Sequence, residues 1–316
     1  MSGDRTAGET ILVTGATGTV GGAVCEELAG DQGPSGRTGG GGSTVRAGGG
    51  GSAGRFDGGD LTIRAATRSP GAFDGAADEV VRFDFTDPTT WRAAFAGVDA
   101  LFLVRPPAIS RVRRDLLPAL SAAIGAGVER VVFLSVIGAD RNPIVPHARI
   151  ESWLAESGVD ATFLRASFFM QNLLEDHREE IRDGQLFVPA GSGKTSFVDA
   201  RDVAAVGVTA LREGTDGDVR AYDLTGPAAL GYTEVADLLT RELGREVQYV
   251  DPSVIRFLWR RIRAGEGFGK AAVMAGIYTT ARLGLADRVT DDVRRVLGRE
   301  PRGLSAFVRE HRDAWG

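Results

Sequence analysis

Three glycines near the start of the chain, Gly15, Gly18 and Gly21, have a spacing that can bind the phosphates of a dinucleotide. They follow an apolar run at 11–13 that predicts a buried strand, and a helical pattern covers 20–28. In such a unit the glycines allow a tight turn, a close approach to the pyrophosphate and close packing of helix on strand. The anion would lie on the unpaired N–H groups at the helix start. A purely structural turn is the alternative, and the strands and helices that follow favour the dinucleotide site.

Arg68 follows the second predicted strand, where the adenosine ribose lies in this kind of fold. An acidic residue at this place would bind the ribose hydroxyl and favour NAD. An arginine can pair with a 2′-phosphate instead and favour NADP. A solvated loop arginine is the plain alternative. We expect NADP to be preferred.

Further candidate cofactor contacts follow the next strands, because ligands of open parallel sheets bind at the carboxyl ends of the strands. Asp84 and Phe85 could contact the adenine, and residues 104–106 could lie near the nicotinamide and its ribose, although the prolines there can simply end the strand. The predicted cofactor-binding residues are Gly15, Thr17, Gly18, Thr19, Val20, Gly21, Arg68, Asp84, Phe85, Val104, Arg105, Pro106 and Ser135.

Ser135 and His147 are the candidate catalytic residues. Ser135 ends the fifth predicted strand, and His147 opens the next predicted helix, with Glu151 one turn later. Histidine can donate a proton at neutral pH. A histidine that contacts only backbone or cofactor is the alternative. Ser135 lies in FLSVIG, which lacks the first glycine of a hydrolase nucleophile elbow, so a Ser-His hydrolase is not expected.

An apolar cluster after the sixth predicted strand, Phe168 and Phe169 with the amide of Asn172 nearby, is the candidate substrate site. Aromatic residues at such a place also serve as core. A flat apolar surface would suit a quinone or another planar acceptor.

The elements that position these residues alternate between strand and helix up to residue 165, which predicts an α/β fold with a doubly wound parallel sheet of the Rossmann type. We expect a NAD(P)-binding domain at 1–166 and a smaller, mostly helical substrate lobe at 167–316, with segments near 196–225 returning to the sheet. A continuous helix is predicted over 169–182, and the substrate would lie in a cleft between the lobes. The glycine-rich segment 31–59 has too few apolar residues to fold and predicts a flexible insertion.

The composition excludes several classes of protein. The net charge of -5 argues against a nucleic-acid binder, and a single cysteine, Cys25, excludes a disulfide framework and is expected in the core. The three histidines are too scattered for a zinc site, so no metal is expected. No secretory signal and no apolar stretch long enough to span a bilayer are apparent, so we expect a cytoplasmic protein.

Two other features have plain interpretations. AGSGKTS resembles the end of a phosphate loop, but the required first glycine is Val188. A basic cluster, most simply a solvated face and alternatively a partner or membrane surface, consists of Arg256, Arg260, Arg261, Arg263 and Lys270.

Taken together, the motifs resemble the NmrA-like family of atypical short-chain dehydrogenases along most of the chain. The resemblance depends on ILVTGATGTVGG, TRSP, FDFTDP, FLSVIGAD, HARIESWLAESGVDATFLRASFFMQNLL, and FVDARDVA followed by YDLTGP. It implies a Rossmann domain with a smaller carboxyl-terminal lobe and an NAD(P) site. Members of the family are either reductases, quinone reductases among them, or dinucleotide-binding redox sensors. By this resemblance, His147 stands at the position where the isoflavone-type reductases have a lysine that is thought to be catalytic.

Two hypotheses follow. The first is an NADPH-dependent oxidoreductase that transfers hydride to a planar apolar small molecule such as a quinone or an enone. The second is a non-catalytic NAD(P)-binding redox sensor that acts through a protein partner. The second gains support because no tyrosine of the chain has a lysine four residues later, the pair that most dehydrogenases of this superfamily use.

Overall fold

The computed structural model describes residues 8–31, 61–215 and 217–316. The insertion predicted at 31–59 lies outside the described residues, apart from Asp31 at the end of the first helix. The chain divides into two compact units. The first comprises the residues up to Arg165 with Val203–Tyr222 and Val296–Gly298, and the second comprises Ala166–Asp202, Asp223–Arg295 and Arg299–Gly316.

The strands of the described residues are β1 (Thr10–Thr14), β2 (Thr62–Thr67), β3 (Glu79–Arg82), β4 (Ala100–Val104), β5 (Arg130–Val136), β6 (Asp160–Ala166), β7 (Phe168–Phe169), β8 (Gln185–Phe187), β9 (Lys194–Val198), β10 (Val219–Leu224), β11 (Ala229–Gly231) and β12 (Gln248–Val250). The α-helices are α1 (Thr19–Asp31), α2 (Trp91–Phe95), α3 (Val112–Asp115), α4 (Leu117–Gly125), α5 (Pro146–Glu156), α6 (Asn172–Glu175), α7 (Arg178–Arg182), α8 (Ala200–Glu213), α9 (Tyr232–Leu243), α10 (Val254–Arg263), α11 (Phe268–Arg282), α12 (Asp292–Leu297) and α13 (Leu304–Glu310).

The first unit is organised around a seven-stranded sheet with the order β10-β6-β5-β4-β1-β2-β3. Strand β1 lies parallel to both β2 and β4, and the pairs β2–β3 and β4–β5 are also parallel. Residues 11–13 of β1 are fully buried, as expected for a central strand covered on both faces. Side chains of α4 and α5 pack with those of β4 and β5 in one core cluster. The predicted Rossmann-type α/β fold is confirmed.

The second unit contains two small sheets, β11-β9-β7 and β12-β8, and most of the later helices. Its core gathers aromatic rings around Tyr278 of α11, which is fully buried. Phe257 of α10 packs edge-on against this ring with centroids 5.7 Å apart. Tyr232 of α9 makes the same kind of contact at 5.7 Å. The apolar pattern of these helices therefore encodes their packing within this unit.

The continuous helix predicted over 169–182 is wrong. Phe168 and Phe169 form β7 and pair with β9, and two short helices, α6 and α7, follow. The break between them lies at His177, whose φ of -117° is not helical. His177 is fully buried, and its ring nitrogens bond to Glu180 and Tyr278. These polar partners fix the bend that the local periodicity does not reveal.

Candidate functional site

The chain that leads from β1 into α1 favours glycine at two positions, one in the turn and one in the first turn of α1. Gly15 has a φ of +65°, a conformation that costs other residues free energy. The amide of Gly18 donates a hydrogen bond of 2.8 Å to the carbonyl oxygen of Gly15. A Cβ atom on Gly21 would lie 2.2 Å from that same oxygen. The turn therefore closes tightly against the first turn of α1, the arrangement that holds a pyrophosphate at a helix start.

The exposure of the turn agrees with anion binding. Thr17, Gly18 and Thr19 are exposed, whereas Val20 and Gly21 are buried against the sheet. The first helical turn has backbone N–H groups without intrahelical partners, and these carry the positive end of the helix dipole. A phosphate fits such a place without any further cation. The glycines and the helix start thus have the chemistry that a dinucleotide requires.

Thr14 joins the turn to the neighbouring strand, a role that sequence reasoning did not assign. Its buried hydroxyl accepts a hydrogen bond of 2.8 Å from the amide of Val104 and donates one of 3.2 Å to the carbonyl oxygen of Phe102. A Cβ atom on Gly15 would lie 3.0 Å from the Cβ atom of Val104. The end of β4 therefore closely borders the glycine turn. A buried threonine at the end of a strand is the only sequence signal for this contact.

The candidate residues on strands β2 to β5 lie at the same edge of the sheet. The register pairs Thr14 with Ala66 and Val104 with Leu134, so Arg68, residues 104–106 and Ser135 all come just after the paired ends of parallel strands. The alternation of strands and helices in the sequence predicted that these residues lie at one edge of the sheet. The observed register of the strands agrees with that prediction. Whether each residue contacts a cofactor stays a prediction.

Arg68 lies in the bend directly after β2 and is exposed. In the described ranges, 8–31, 61–215 and 217–316, its guanidinium makes no ion pair. It is therefore available for a phosphate without losing an internal partner.

Asp84 and Phe85 have local partners of their own. The Oδ1 atom of Asp84 accepts hydrogen bonds of 2.8 Å from both the amide and the hydroxyl of Thr86. Phe85 is buried, and its ring packs edge-on against Phe83 with centroids 4.7 Å apart. Both side chains thus shape the loop after β3, and their contact with an adenine stays a prediction.

Arg105 and His147 lie side by side. The Nε atom of Arg105 donates to Nε2 of His147 over 3.4 Å, and its Nη1 atom donates to the carbonyl oxygens of Pro106 and Ile109 at 3.0 and 2.8 Å. The imidazole stacks on Phe133 with ring centroids 5.9 Å apart. Burial, reinforced by the positive charge of Arg105, lowers the pKa of His147 to about 4. His147 is therefore neutral at neutral pH, with Nε2 as the acceptor and the proton on Nδ1.

Ser135 belongs to a buried polar network with Glu151 of α5. Its hydroxyl donates a hydrogen bond of 2.5 Å to Oε1 of Glu151. Arg165 at the end of β6 donates from Nη2 to Oε2 at 2.6 Å and from Nε to Oε1 at 3.1 Å. The proton of Ser135 is thus held by the carboxylate, so the hydroxyl oxygen offers lone pairs to any other neighbour.

Sequence reasoning noted Glu151 beside His147 but assigned it no role, and it missed Arg165. The signal was present in α5, where Glu151 is a carboxylate among the buried residues Ala148, Ile150 and Leu154. A buried charge requires a partner, and a charged residue at a strand end is the natural place to seek one. The partner itself cannot be identified without the tertiary structure.

The candidate substrate residues lie in the second unit. Phe168 is half-buried and packs edge-on against Phe197 with centroids 5.5 Å apart, and its ring lies 5.9 Å from that of Tyr278. Phe169 and Asn172 are also half-buried, and Asn172 begins α6. Phe168 therefore combines a core contact with an accessible part.

Gln171, which precedes Asn172, was not singled out as a site residue. Its Nε2 atom donates a hydrogen bond of 2.9 Å to Oδ1 of Asp199, and its Oε1 atom accepts one of 3.1 Å from the amide of Ala200. These two hydrogen bonds of the Gln171 side chain fix the start of α8.

Across the ranges 8–31, 61–215 and 217–316, no group of three or more His, Cys, Asp and Glu side chains is arranged to hold a metal ion. None of the helices in those ranges is long and apolar enough to cross a membrane.

Comparison with known proteins identifies a family and several relatives. The model of the NmrA-like family matches residues 7–275. An NAD(P)H azoreductase of Xenophilus azovorans is 37% identical over 243 residues, which cover 74% of this chain and 82% of that protein. An uncharacterized oxidoreductase of Bacillus subtilis (strain 168), YesF, is 31% identical over 307 residues and covers 96% of both chains. The NADPH-dependent quinone oxidoreductase of Escherichia coli, solved in complex with NADPH, aligns with a TM-score of 0.76 at 26% identity, covering 95% of this chain and 99% of that one.

Proposed function

Because the chain belongs to the NmrA-like family, we propose that it is an NADPH-dependent oxidoreductase that transfers hydride to a planar apolar acceptor such as a quinone or an enone. The general activity, oxidoreduction of a small molecule with NAD(P)H, follows from its named relatives. The preference for NADPH and the class of acceptor are the parts that we propose. The observation that supports the place of the cofactor is the glycine turn, in which Gly21 lies against the carbonyl group of Gly15.

In this proposal the glycine turn and the start of α1 hold the pyrophosphate of the cofactor. Thr17, Thr19 and Val20 border it, and the exposed guanidinium of Arg68 pairs with the 2′-phosphate. NADH has no such phosphate. The expected preference for NADPH therefore comes from one charge-assisted contact.

The reacting end of the cofactor would lie along the ends of β4 and β5, near residues 104–106 and Ser135. Bound NADPH supplies a hydride, which carries two electrons to the acceptor, and the product then takes up a proton. We propose that Phe168, Phe169 and Asn172 contact the acceptor, because two half-buried aromatic rings can stack on a flat molecule while an amide can bond to its carbonyl oxygen.

The electrostatics of Ser135 and His147 suggest how the proton is supplied. His147 is neutral at pH 7 because its pKa is about 4, and the hydroxyl of Ser135 donates its hydrogen bond to the carboxylate of Glu151. Neither group is an acid at rest. A negative oxygen that forms beside His147 would accept a hydrogen bond from the Nδ1–H group of the neutral imidazole, and water would supply the proton that the product takes up. This order of events suits a quinone, whose reduced oxygen can be protonated by water.

A pair of glycine substitutions tests the cofactor site. A methyl group at Gly21 would collide with the carbonyl group of Gly15, whereas one at Gly22 would lie 3.4 Å from the carbonyl oxygen of Ala16, an ordinary contact. We expect Gly21→Ala to weaken NADPH binding at least tenfold in calorimetric titration, and Gly22→Ala to bind within about twofold of the unchanged protein. Equal binding by folded Gly21→Ala protein would overturn the assignment of the turn.

The alternative function, a dinucleotide sensor that acts through a protein partner, is favoured by one observation. The candidate proton donor His147 is uncharged at neutral pH. A panel of quinones, enones and aldehydes with NADPH oxidation as readout separates the two functions. Turnover supports the oxidoreductase. Tight binding without turnover, together with different affinities for the oxidised and reduced cofactor, supports the sensor.

A further inference from the structure

Helix α10 exposes an apolar strip that its own unit does not cover. Ile255, Trp259 and Ile262 follow one another at helical spacing and are 80%, 60% and 46% exposed. The opposite side of the helix is buried through Phe257 and Arg261. Large apolar side chains scattered singly on a surface need no explanation, but three on one helix face indicate a binding surface.

The neighbouring helix α11 also exposes large apolar side chains. Phe268 and Val273 are 67% and 64% exposed there, although the other side of α11 is buried. The two helices contact each other through their buried faces, as the rings of Phe257 and Tyr278 show.

A row of arginines runs beside the strip of Ile255, Trp259 and Ile262. On a helix that turns about 100° per residue, Arg256, Arg260 and Arg263 lie next to the strip. The guanidinium groups of Arg256 and Arg260 also lie over the ring of Phe187, 5.6 and 4.3 Å from its centre. The guanidinium of Arg263 lies 5.2 Å from the ring centre of Trp259. Within the part of the chain that the structure describes, Arg256 and Arg263 form no ion pair.

Carboxylates close to α10 pair with Arg260 and Arg261. Glu180 lies 3.9 Å from both Arg260 and Arg261, and Glu266 pairs with Arg261 at 2.9 Å. Arg256 and Arg263 therefore carry the positive charge that α10 presents to the outside, whereas Arg260 faces a cavity lined by carboxylates such as Glu179 and Glu180. An apolar strip with tryptophan and a flanking row of arginines is the composition of a helix that lies in a membrane surface.

We propose that α10 docks on the surface of an anionic lipid bilayer. The apolar strip would enter the boundary of headgroups and acyl chains, and Arg256 and Arg263 would pair with lipid phosphates. The chain carries a net charge of -5, so general electrostatic adsorption to anionic lipid is disfavoured and binding depends on this local face. An antiparallel two-fold contact between the strips of two copies would instead bring the two rows of arginines together.

Vesicle sedimentation tests the proposal directly. The full chain is mixed with vesicles of phosphatidylcholine alone or with phosphatidylglycerol, at low and at physiological salt. We expect binding to the anionic vesicles and at least tenfold weaker binding to the neutral ones. Ile255→Ser/Trp259→Ser and Arg256→Gln/Arg263→Gln should each lose at least tenfold in affinity for the anionic vesicles. The fluorescence of Trp259 should shift to the blue on binding.

Matched controls use exposed residues outside α10. Ile144 is 78% exposed, so Ile144→Ser removes a comparable apolar side chain. Arg92 and Arg111 are exposed, so Arg92→Gln/Arg111→Gln removes the same charge. These variants should bind like the unchanged protein.

Three results would overturn the proposal. The first is no binding to anionic vesicles at physiological salt. The second is equal binding by the α10 variants, with melting temperatures showing that they are folded. The third is a stable dimer in sedimentation velocity that Ile255→Ser/Trp259→Ser converts to monomer, since a second copy would then cover the strip.

Discussion

Replacing His147 by glutamine should make the stability of the protein less sensitive to acid. The folded protein holds the pKa of His147 at about 4, whereas an unperturbed histidine has a pKa of 6.5. Between these two values the unfolded chain binds a proton that the folded protein excludes, so the free energy of unfolding falls as the pH falls. Above pH 6.5 both states are neutral at this residue, and the penalty vanishes. With about 1.4 kcal/mol for each tenfold change in proton affinity, the loss between pH 7.5 and 4.5 amounts to about 2.5 kcal/mol.

Urea unfolding at several pH values measures this contribution of His147. It is the difference in the free energy of unfolding between the unchanged protein and His147→Gln. The difference cancels the titration of all groups that the two proteins share. Arg149→Gln, an exposed change on the same helix, serves as the control and should retain the full acid sensitivity. Arg105→Gln should retain part of it, because burial is the larger cause of the low pKa and Arg105 the smaller one. Parallel acid sensitivity in the unchanged protein and in His147→Gln would refute the reasoning, as would an imidazole pKa above 6 in an NMR titration.

Three further predictions concern the cofactor, the buried network and the cysteine. Arg68→Ala should reduce the affinity for NADPH at least tenfold and leave that for NADH unchanged, and equal losses in calorimetric titration would contradict the assignment. Glu151→Gln should destabilise the protein by about 2 kcal/mol in urea unfolding, because it removes the charge that accepts from both Ser135 and Arg165, although Arg165 keeps Asp140 at 3.7 Å; an unchanged midpoint would contradict this. Cys25 is buried, and desolvation raises the pKa of its thiol to about 12, so native protein should react with a thiol reagent far more slowly than protein in urea; similar rates would contradict the burial.

The sequence by itself determined the Rossmann-type fold and the glycine turn. Alternating strands and helices are encoded in the spacing of apolar residues over short stretches, and a tight turn depends on the backbone freedom of Gly15 and the small size of Gly21. Both are local properties, so they can be read without knowing what packs against them. The edge of the sheet that collects the candidate residues follows from the parallel order of the strands.

Only the tertiary structure decided the partners of the buried polar groups. Ser135, Glu151 and Arg165 come from a strand, a helix and another strand, and nothing in their spacing predicts that one carboxylate holds the other two. The low pKa of His147 depends on burial and on Arg105, which precedes it by 42 positions. These properties arise because folding removes water and brings charges together across long separations in the chain, and periodicity does not record such contacts.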